Sequence, residues 1–83
     1  MKNENSKYQM TIKEHLYDVR VITEISDVRY MGNLGYGFVV YEIGGMATVA
    51  RYWPSEDEAR LKRFALYNLW KGWEAAREGK EYY

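Results

Sequence analysis

The sequence predicts an α+β fold, in which a three-stranded antiparallel sheet is packed by one long C-terminal helix, with or without a short leading helix. Three observations predict it. β-branched and aromatic segments alternate with polar residues, a Gly-Gly pair joins two such segments, and the last third has a capped helical periodicity. The 83 residues have the length of one domain. We assign residues 1–10 to a flexible N-terminal tail and residues 11–83 to a single domain.

The first strand is expected over residues 16–25, where β-branched side chains alternate with charged ones. Just before it, Thr11 and Glu14 have the spacing of a capping box, which predicts one helical turn ahead of the strand. A longer first helix is the alternative. The order of elements is therefore β-β-β-α, with the leading segment open between these two interpretations.

Two further strands are expected over residues 36–43 and 46–53, joined by two glycines. Consecutive glycines can both adopt positive φ, so a two-residue hairpin loop is predicted. Such a loop pairs the two residues that flank it with each other. At the far end of the hairpin it pairs Tyr36 with Trp53.

The last third of the chain predicts one helix over residues 56–78. Ser55 is the expected N-cap, Glu58 completes a capping box, and Gly79 is the expected stop after the last turn. Apolar residues at helical spacing define the face that should pack on the sheet. These residues are Leu61, Ala65, Leu69, Gly72 and Ala76, with Phe64, Leu66 and Trp73 beside them.

The opposite stripe of this helix carries large aromatic side chains, which is unusual for a face directed away from the core. Tyr67 and Trp70 lie on it between two arginines, at spacings of three and four residues. Trp, Tyr and Arg are enriched in the hot spots of protein interfaces. We therefore predict a partner-binding site formed by Arg63, Tyr67, Trp70, Glu74 and Arg77.

Two alternatives account for the same stripe. Arginines stacked on the rings would make it a self-satisfied, solvated face, and a homodimer through the Trp70 strip would bury it. The partner hypothesis expects Trp70→Ala to weaken binding by about 2 kcal/mol or more while the fold stays intact. Second choices for the partner site are the C-terminal Tyr82 and Tyr83 and the uncovered sheet face, which is more apolar than solvent contact requires.

The composition argues against several kinds of site. The chain has no cysteine and one histidine, so neither a disulfide nor a Cys/His zinc site is expected. The glycines of GNLGYG, residues 32–37, join two predicted strands, whereas a phosphate-binding loop leads into a helix. We expect no enzyme activity, no cofactor and no metal. The chain has no apolar run of membrane-spanning length, and we expect a bacterial cytoplasmic location.

The charge balance disfavours nucleic-acid binding, because 12 basic and 12 acidic residues cancel and phosphate contacts need a basic excess. Even so, YGFVVYEIGGMATVARYWPSEDEARL resembles the hairpin and capped helix of AP2-type and integrase arm-binding DNA modules. That resemblance implies a sheet laid in the major groove, and it is our alternative function. The residues it implies for DNA contact are Arg20, Arg29, Arg51 and Trp53. If a leading helix is present, the order of elements is also similar to that of double-stranded RNA-binding domains. Those domains carry phosphate-binding lysines at the start of the last helix, where this chain has the acidic stretch SEDEA, which would repel phosphate.

The stretch VARYWPSEDEARLKRFALYNL, residues 49–69, resembles the strand-to-helix joint of small phage anti-CRISPR proteins, especially an inhibitor of type I-F surveillance complexes. It contains no diagnostic motif, so no contact residue is transferred from that family. The resemblance implies a compact, non-enzymatic phage or mobile-element protein that binds a larger assembly. Our hypothesis is an inhibitor or adaptor that acts by steric occupation of a protein or nucleoprotein assembly.

Overall fold

The computed structural model describes residues 7–79, in which short antiparallel strands precede one long helix. In chain order these elements are β1 (Gln9–Ile12), β2 (His15–Asp18), β3 (Ile22–Ile25), β4 (Arg29–Tyr30), β5 (Tyr36–Gly37), β6 (Val39–Glu42), β7 (Met46–Val49) and α1 (Glu56–Arg77). The predicted α+β class is confirmed. Because β1 begins at Gln9, the tail predicted over residues 1–10 extends too far, and residues 1–6 lie outside the described range.

A β-hairpin occupies the leading segment, where the sequence predicts a helical turn or a longer helix. β1 and β2 pair antiparallel, with Ile12 opposite His15. Lys13 and Glu14 form the turn with φ of 46° and 73°, the pair of positive values that a tight hairpin turn requires. Both helical predictions are wrong, because pairing as a hairpin buries Ile12 and leaves Tyr17 only 1% exposed.

The strand predicted over residues 16–25 is interrupted by a 3₁₀ turn at Val19–Val21. The Asp18 carboxylate causes the interruption, since it accepts hydrogen bonds from the Arg20 backbone N–H at 2.9 Å and from the Arg20 guanidinium. A side chain that bonds the backbone two residues later competes with strand pairing. The chain therefore leaves the first hairpin after β2 and enters a second sheet at β3.

This second sheet is antiparallel and three-stranded, with β6 between β3 and β7. The predicted hairpin register is wrong by one residue, because Glu42 pairs with Met46 across a three-residue loop. Gly45 N–H donates to Glu42 O at 3.1 Å and closes that loop. A one-residue shift further along restores the predicted pairing of Tyr36 with Trp53, which is present as a bridge.

The GNLG turn joins β4 to β5, as predicted. It contains the 3₁₀ turn Gly32–Leu34 and ends at Gly35, which has φ of 101°. An ideal Cβ at Gly35 would lie 2.3 Å from Trp53 O, and that oxygen accepts the Tyr36 N–H at 2.8 Å. The bridge between Tyr36 and Trp53 therefore needs a glycine beside it.

The helix α1 begins and ends with the predicted caps. Ser55 Oγ accepts the Glu58 N–H at 3.4 Å, and three acidic residues in the first turn complement the positive end of the helix dipole. Gly79 follows the last turn with φ of 77°. The helix bounds predicted from local capping chemistry are confirmed to within one residue.

The face of α1 that packs on the sheets differs from the predicted one. Ala59, Leu66 and Trp70 are its buried residues, and they join a core whose largest fully buried side chains include Tyr17 and Phe38. The predicted core face is only partly correct: Leu66 is fully buried and Leu69 and Trp73 pack against the core, but four others are exposed. The exposed ones are Leu61, Phe64, Ala65 and Ala76.

Candidate protein-binding surface

Trp70, the centre of the predicted partner site, lies in the core with 6% of its surface exposed. Its indole Nε1 donates to Ile22 O in β3 at 3.1 Å, so both the ring and its polar group are satisfied inside the fold. The prediction that Trp70 is an exposed anchor is wrong. The alternative homodimer through the Trp70 strip is wrong for the same reason.

Arg63 lies two helical turns before Trp70 on the same stripe of α1, and it also makes contacts within the fold. Its Nε donates to Ser26 O at 2.6 Å and its Nη2 to Ile25 O at 3.4 Å. The guanidinium is 4.8 Å from the centre of the Tyr67 ring, and Tyr67 meets Trp70 edge-on at 5.7 Å. The stacking of an arginine on an aromatic ring of this stripe, expected if the stripe is self-satisfied, is therefore present. It occurs where α1 packs on the end of β3.

The last two residues of the predicted site lie further along the helix. Glu74 pairs with Lys71 at 3.2 Å, and the Lys71 ammonium lies 4.6 Å from the Trp70 ring centre. Arg77 is exposed, with its guanidinium 4.7 Å from the Trp73 ring centre. Most of this stripe is therefore engaged in contacts within the molecule. Tyr82 and Tyr83 lie outside the described residues.

The residues of the alternative DNA site are spread over separate elements. Arg20 is held by Asp18 in an ion pair at 2.6 Å, which raises the pKa of the Arg20 guanidinium. Trp53 is 2% exposed and stacks on Phe38 at 5.9 Å, so its ring is not available to a base. Arg29 in β4 and Arg51 after β7 remain exposed. Two of the four residues are thus engaged within the fold, and the other two are exposed.

The uncovered apolar surface lies on the opposite side of α1 from Trp70. Leu61 and Phe64 are 68% and 61% exposed, and Ala65 next to them is exposed as well. We call these three residues the outer helix face. Their spacing of three and four residues places them on one stripe. A leucine and a phenylalanine side by side in solvent form an apolar patch of the kind that marks interaction sites.

An open groove adjoins the outer helix face, with a volume of about 570 Å³. It is lined by Asp27, Val28, Arg60, Arg63 and Phe64. Arg60 is paired with Glu56 one turn earlier, which raises the pKa of its guanidinium, and Arg63 Nη2 lies 3.6 Å from Asp27. The groove therefore combines an apolar wall with two guanidinium groups, whose carboxylate partners are themselves solvent-exposed.

A second uncovered surface is the face of the three-stranded sheet away from the core. Ala47 and Val49 in β7 are exposed, and Val39 and Tyr41 in β6 are half-buried. This bears out the expectation that one sheet face is more apolar than solvent contact requires. Ile43 extends the patch into the hairpin loop, with 64% of its surface exposed.

Across residues 7–79, no three His, Asp or Glu side chains are grouped as a metal site would require. No helix in that part of the chain combines the length and the apolar character needed to cross a membrane. Comparison with protein-family models, with curated proteins and with solved structures finds no match in any of the three. The functional proposal therefore rests on the exposed surfaces described above.

The sequence pattern of the outer helix face predicts a buried surface, although the structure exposes it. Leu61, Phe64 and Ala65 are apolar at helical spacing, which predicts a core face. What distinguishes the stripe that contains Trp70 and Arg63 is that its side chains carry hydrogen-bond donors. Trp70 and Arg63 can donate to strand carbonyls from a buried position, and an apolar side chain cannot.

Proposed function

We propose that this chain is a small, non-enzymatic protein-binding inhibitor or adaptor that docks through its outer helix face. The observation that carries the proposal is the exposure of Leu61 and Phe64 beside a groove containing Arg60 and Arg63. Phenylalanine and arginine are both enriched at protein interfaces relative to the rest of the protein surface. The proposal moves the centre of the binding site from Trp70 to Leu61 and Phe64.

The groove indicates the chemistry of the partner. Val28 and Phe64 offer an apolar wall, and the guanidinium groups of Arg60 and Arg63 lie beside it, each with a solvent-exposed carboxylate partner. A partner segment that fits has an apolar side chain for the wall and a carboxylate directed at the guanidinium groups. We therefore expect a protein partner with an acidic and apolar docking segment.

The sharper form of the proposal is an anti-CRISPR-like inhibitor of phage or mobile-element type, acting in a bacterial cytoplasm. It is supported by the resemblance of residues 49–69 to the strand-to-helix joint of such inhibitors. That stretch contains all three residues of the outer helix face. Docking there would block, by steric occupation, a site that a larger assembly needs for nucleic acid or for a subunit.

The test begins with a pull-down of the tagged protein from nuclease-treated bacterial lysate, followed by titration of the captured partner in purified form. Phe64→Glu should weaken that binding at least about 30-fold, which corresponds to the roughly 2 kcal/mol that defines a hot spot. Leu16→Glu is the matched control, because Leu16 is a comparably exposed residue, at 56%, on β2.

Two outcomes oppose the proposal. Equal binding by wild type and Phe64→Glu would remove the outer helix face from the interface. Material retained only when nucleic acid is left intact would favour the sheet-based DNA alternative, for which affinity should fall steeply with salt. In that case Arg29→Ala and Arg51→Ala, both at exposed positions, should weaken retention.

A further inference from the structure

The two edge strands of the three-stranded sheet, β3 and β7, differ in whether other parts of the molecule bond to their outer backbone groups. Along β3, the helix side chains Trp70 and Arg63 donate to the carbonyl groups of Ile22, Ile25 and Ser26. These donors occupy groups that an added strand would need. The β3 edge is therefore closed by α1.

The β7 edge is open. Within residues 7–79, β7 pairs with β6 and with no other strand. Ala50 N–H donates to Phe38 O at 2.8 Å, and backbone groups of successive strand residues alternate in direction. Hence Thr48 directs its backbone groups toward β6, whereas Ala47 and Val49 direct theirs outward. Both residues with outward groups are exposed.

The composition of this edge lacks the usual protection against strand pairing. Natural sheets guard exposed edges with charged residues, proline or covering elements. Residues 43–50 include neither a charged residue nor a proline. The large side chains along the edge are exposed instead, with Ile43 and Met46 at 64% and Val49 at 45%.

We propose that β7 pairs antiparallel with β7 of a second copy of this chain, about a two-fold axis at Thr48. Ala47 then lies opposite Val49 of the partner subunit, and each such pair exchanges two backbone hydrogen bonds. The two three-stranded sheets become one six-stranded sheet. Met46 and Val49 lose solvent exposure at the new seam.

A second copy fits this edge better than a charged partner segment does. The edge is uncharged and the formal net charge of the chain is zero, so two copies meet without like-charge repulsion. The antiparallel arrangement is self-complementary, as a two-fold interface requires. Because the β3 edge is closed by Trp70 and Arg63, assembly stops at two subunits and does not continue into a fibre.

The first test is the molar mass of the full chain in solution, by light scattering and by sedimentation. Wild type should have twice the monomer mass, and Val49→Lys should be monomeric because it places a charge on the pairing edge. Thr23→Lys is the matched control, since Thr23 is an exposed residue of the closed edge, on β3. A monomeric wild type, or a dimeric Val49→Lys, would overturn the proposal.

The second test fixes the register and does not depend on how well Val49→Lys folds. The chain has no cysteine, so Thr48→Cys introduces a single thiol. Residues facing each other at a non-hydrogen-bonded position have Cα atoms about 4.5 Å apart, which suits a disulfide. Under mild oxidation Thr48→Cys should form a covalent dimer and Thr23→Cys should not. Equal cross-linking of the two variants would exclude the proposed axis.

The dimer stands apart from the proposed function, because it uses a different surface. Phe64→Glu should leave the molar mass at that of the dimer, whatever it does to partner binding. Val49→Lys should in turn leave a monomer that still folds, as judged by circular dichroism. A loss of the dimer on Phe64→Glu would place the self-association on α1 and contradict the β7 assignment.

Discussion

At the scale of single residues, Trp70 decides how α1 is rotated on the sheets. Only 6% of its surface is exposed, and its N–H reaches Ile22 O at 3.1 Å. A buried indole without an acceptor would be costly, whereas this one contributes both apolar area and a hydrogen bond. Arg63 acts in the same way on the neighbouring carbonyls. The pair orients the helix by matching donors to strand acceptors.

Trp70→Ala should therefore lower the free energy of unfolding by about 3–5 kcal/mol, the range for removing a large aromatic side chain from a core. This replaces the expectation of an intact fold. Urea denaturation followed by circular dichroism measures the change. Trp70→Phe should cost less, because it keeps most of the apolar area and loses only the hydrogen bond to Ile22 O.

The comparison variant is Trp73→Ala, which removes a partly buried tryptophan from the same helix. Its effect on unfolding should be clearly smaller than that of Trp70→Ala. Equal effects would mean that the two rings are buried alike. An unchanged free energy of unfolding for Trp70→Ala would return its ring to the surface and contradict the orientation of α1 on the sheets.

Asp18 makes the stability of the fold depend on pH. Hydrogen bonds from the Arg20 side chain, aided by its backbone N–H, lower the pKa of the Asp18 carboxyl from 3.8 to about 2. A carboxyl with a lowered pKa in the folded state stabilises that state above its unfolded pKa. This contribution should be lost as the pH falls from about 4 to about 2.

Denaturation of wild type and Asp18→Asn across that pH range tests the assignment. Asparagine keeps a side-chain oxygen for the Arg20 backbone N–H but does not titrate. Wild type should lose more of its unfolding free energy than Asp18→Asn on acidification. Parallel curves for the two proteins would show that Asp18 has the same pKa in the folded and unfolded states.

At the scale of elements, the turn before β5 depends on one glycine. Gly35 has φ of 101°, and a Cβ there would lie 2.3 Å from Trp53 O. Gly35→Ala should lower the free energy of unfolding by about 2 kcal/mol or more, because backbone strain adds to a steric clash with a backbone atom. Thermal unfolding monitored by circular dichroism would measure the loss.

Gly32 in the same turn is the matched control. It also has a positive φ, of 67°, but among residues 7–79 a Cβ at Gly32 would meet no atom within 4 Å beyond its chain neighbours. Gly32→Ala should therefore carry the conformational cost without the clash, at about 1 kcal/mol. If the two alanine variants unfold alike, the contact with Trp53 O is not what requires a glycine at position 35.

The elements that the sequence predicts well are those encoded by local chemistry. Ser55, Glu58 and Gly79 mark the ends of α1, and two positive φ values at Gly44 and Gly45 occur where consecutive glycines predict them. The predicted register of β6 on β7 is wrong because a single additional loop residue shifts each of their pairs by one residue. The first hairpin fails because its turn is built from Lys13 and Glu14, which have no strong turn preference.

The candidate site was predicted less well than the fold, for a physical reason. Both stripes of α1 have helical spacing and large side chains, so periodicity alone does not say which one packs inward. Leu61 and Phe64 are suited to a core because they are apolar, and Trp70 is suited to one because its large ring can bury much surface area. The decision depends on acceptors in β3 that are distant in sequence, such as Ile22 O. That information enters only with the tertiary structure.

At the scale of the whole molecule, the orientation of α1 creates both proposed interaction surfaces. Turning Trp70 and Arg63 toward β3 closes one sheet edge and leaves β7 as the open one. The same rotation turns Leu61 and Phe64 outward. A chain of this size has a thin core, and three large apolar side chains of α1 and β7 remain uncovered at over half exposure: Leu61, Phe64 and Met46.

The orientation itself can be tested with two identical substitutions on opposite sides of α1. Leu66 is fully buried and Leu61 is 68% exposed. Leu66→Ala should lower the free energy of unfolding by about 2–5 kcal/mol through loss of buried area and the cavity left behind. Leu61→Ala should stay within about 0.5 kcal/mol of wild type, as surface substitutions do. The two changes share residue type and helix, so the difference reports burial. The reverse order would restore the apolar stripe predicted from periodicity as the core face, and would remove the outer helix face on which the proposed partner docks.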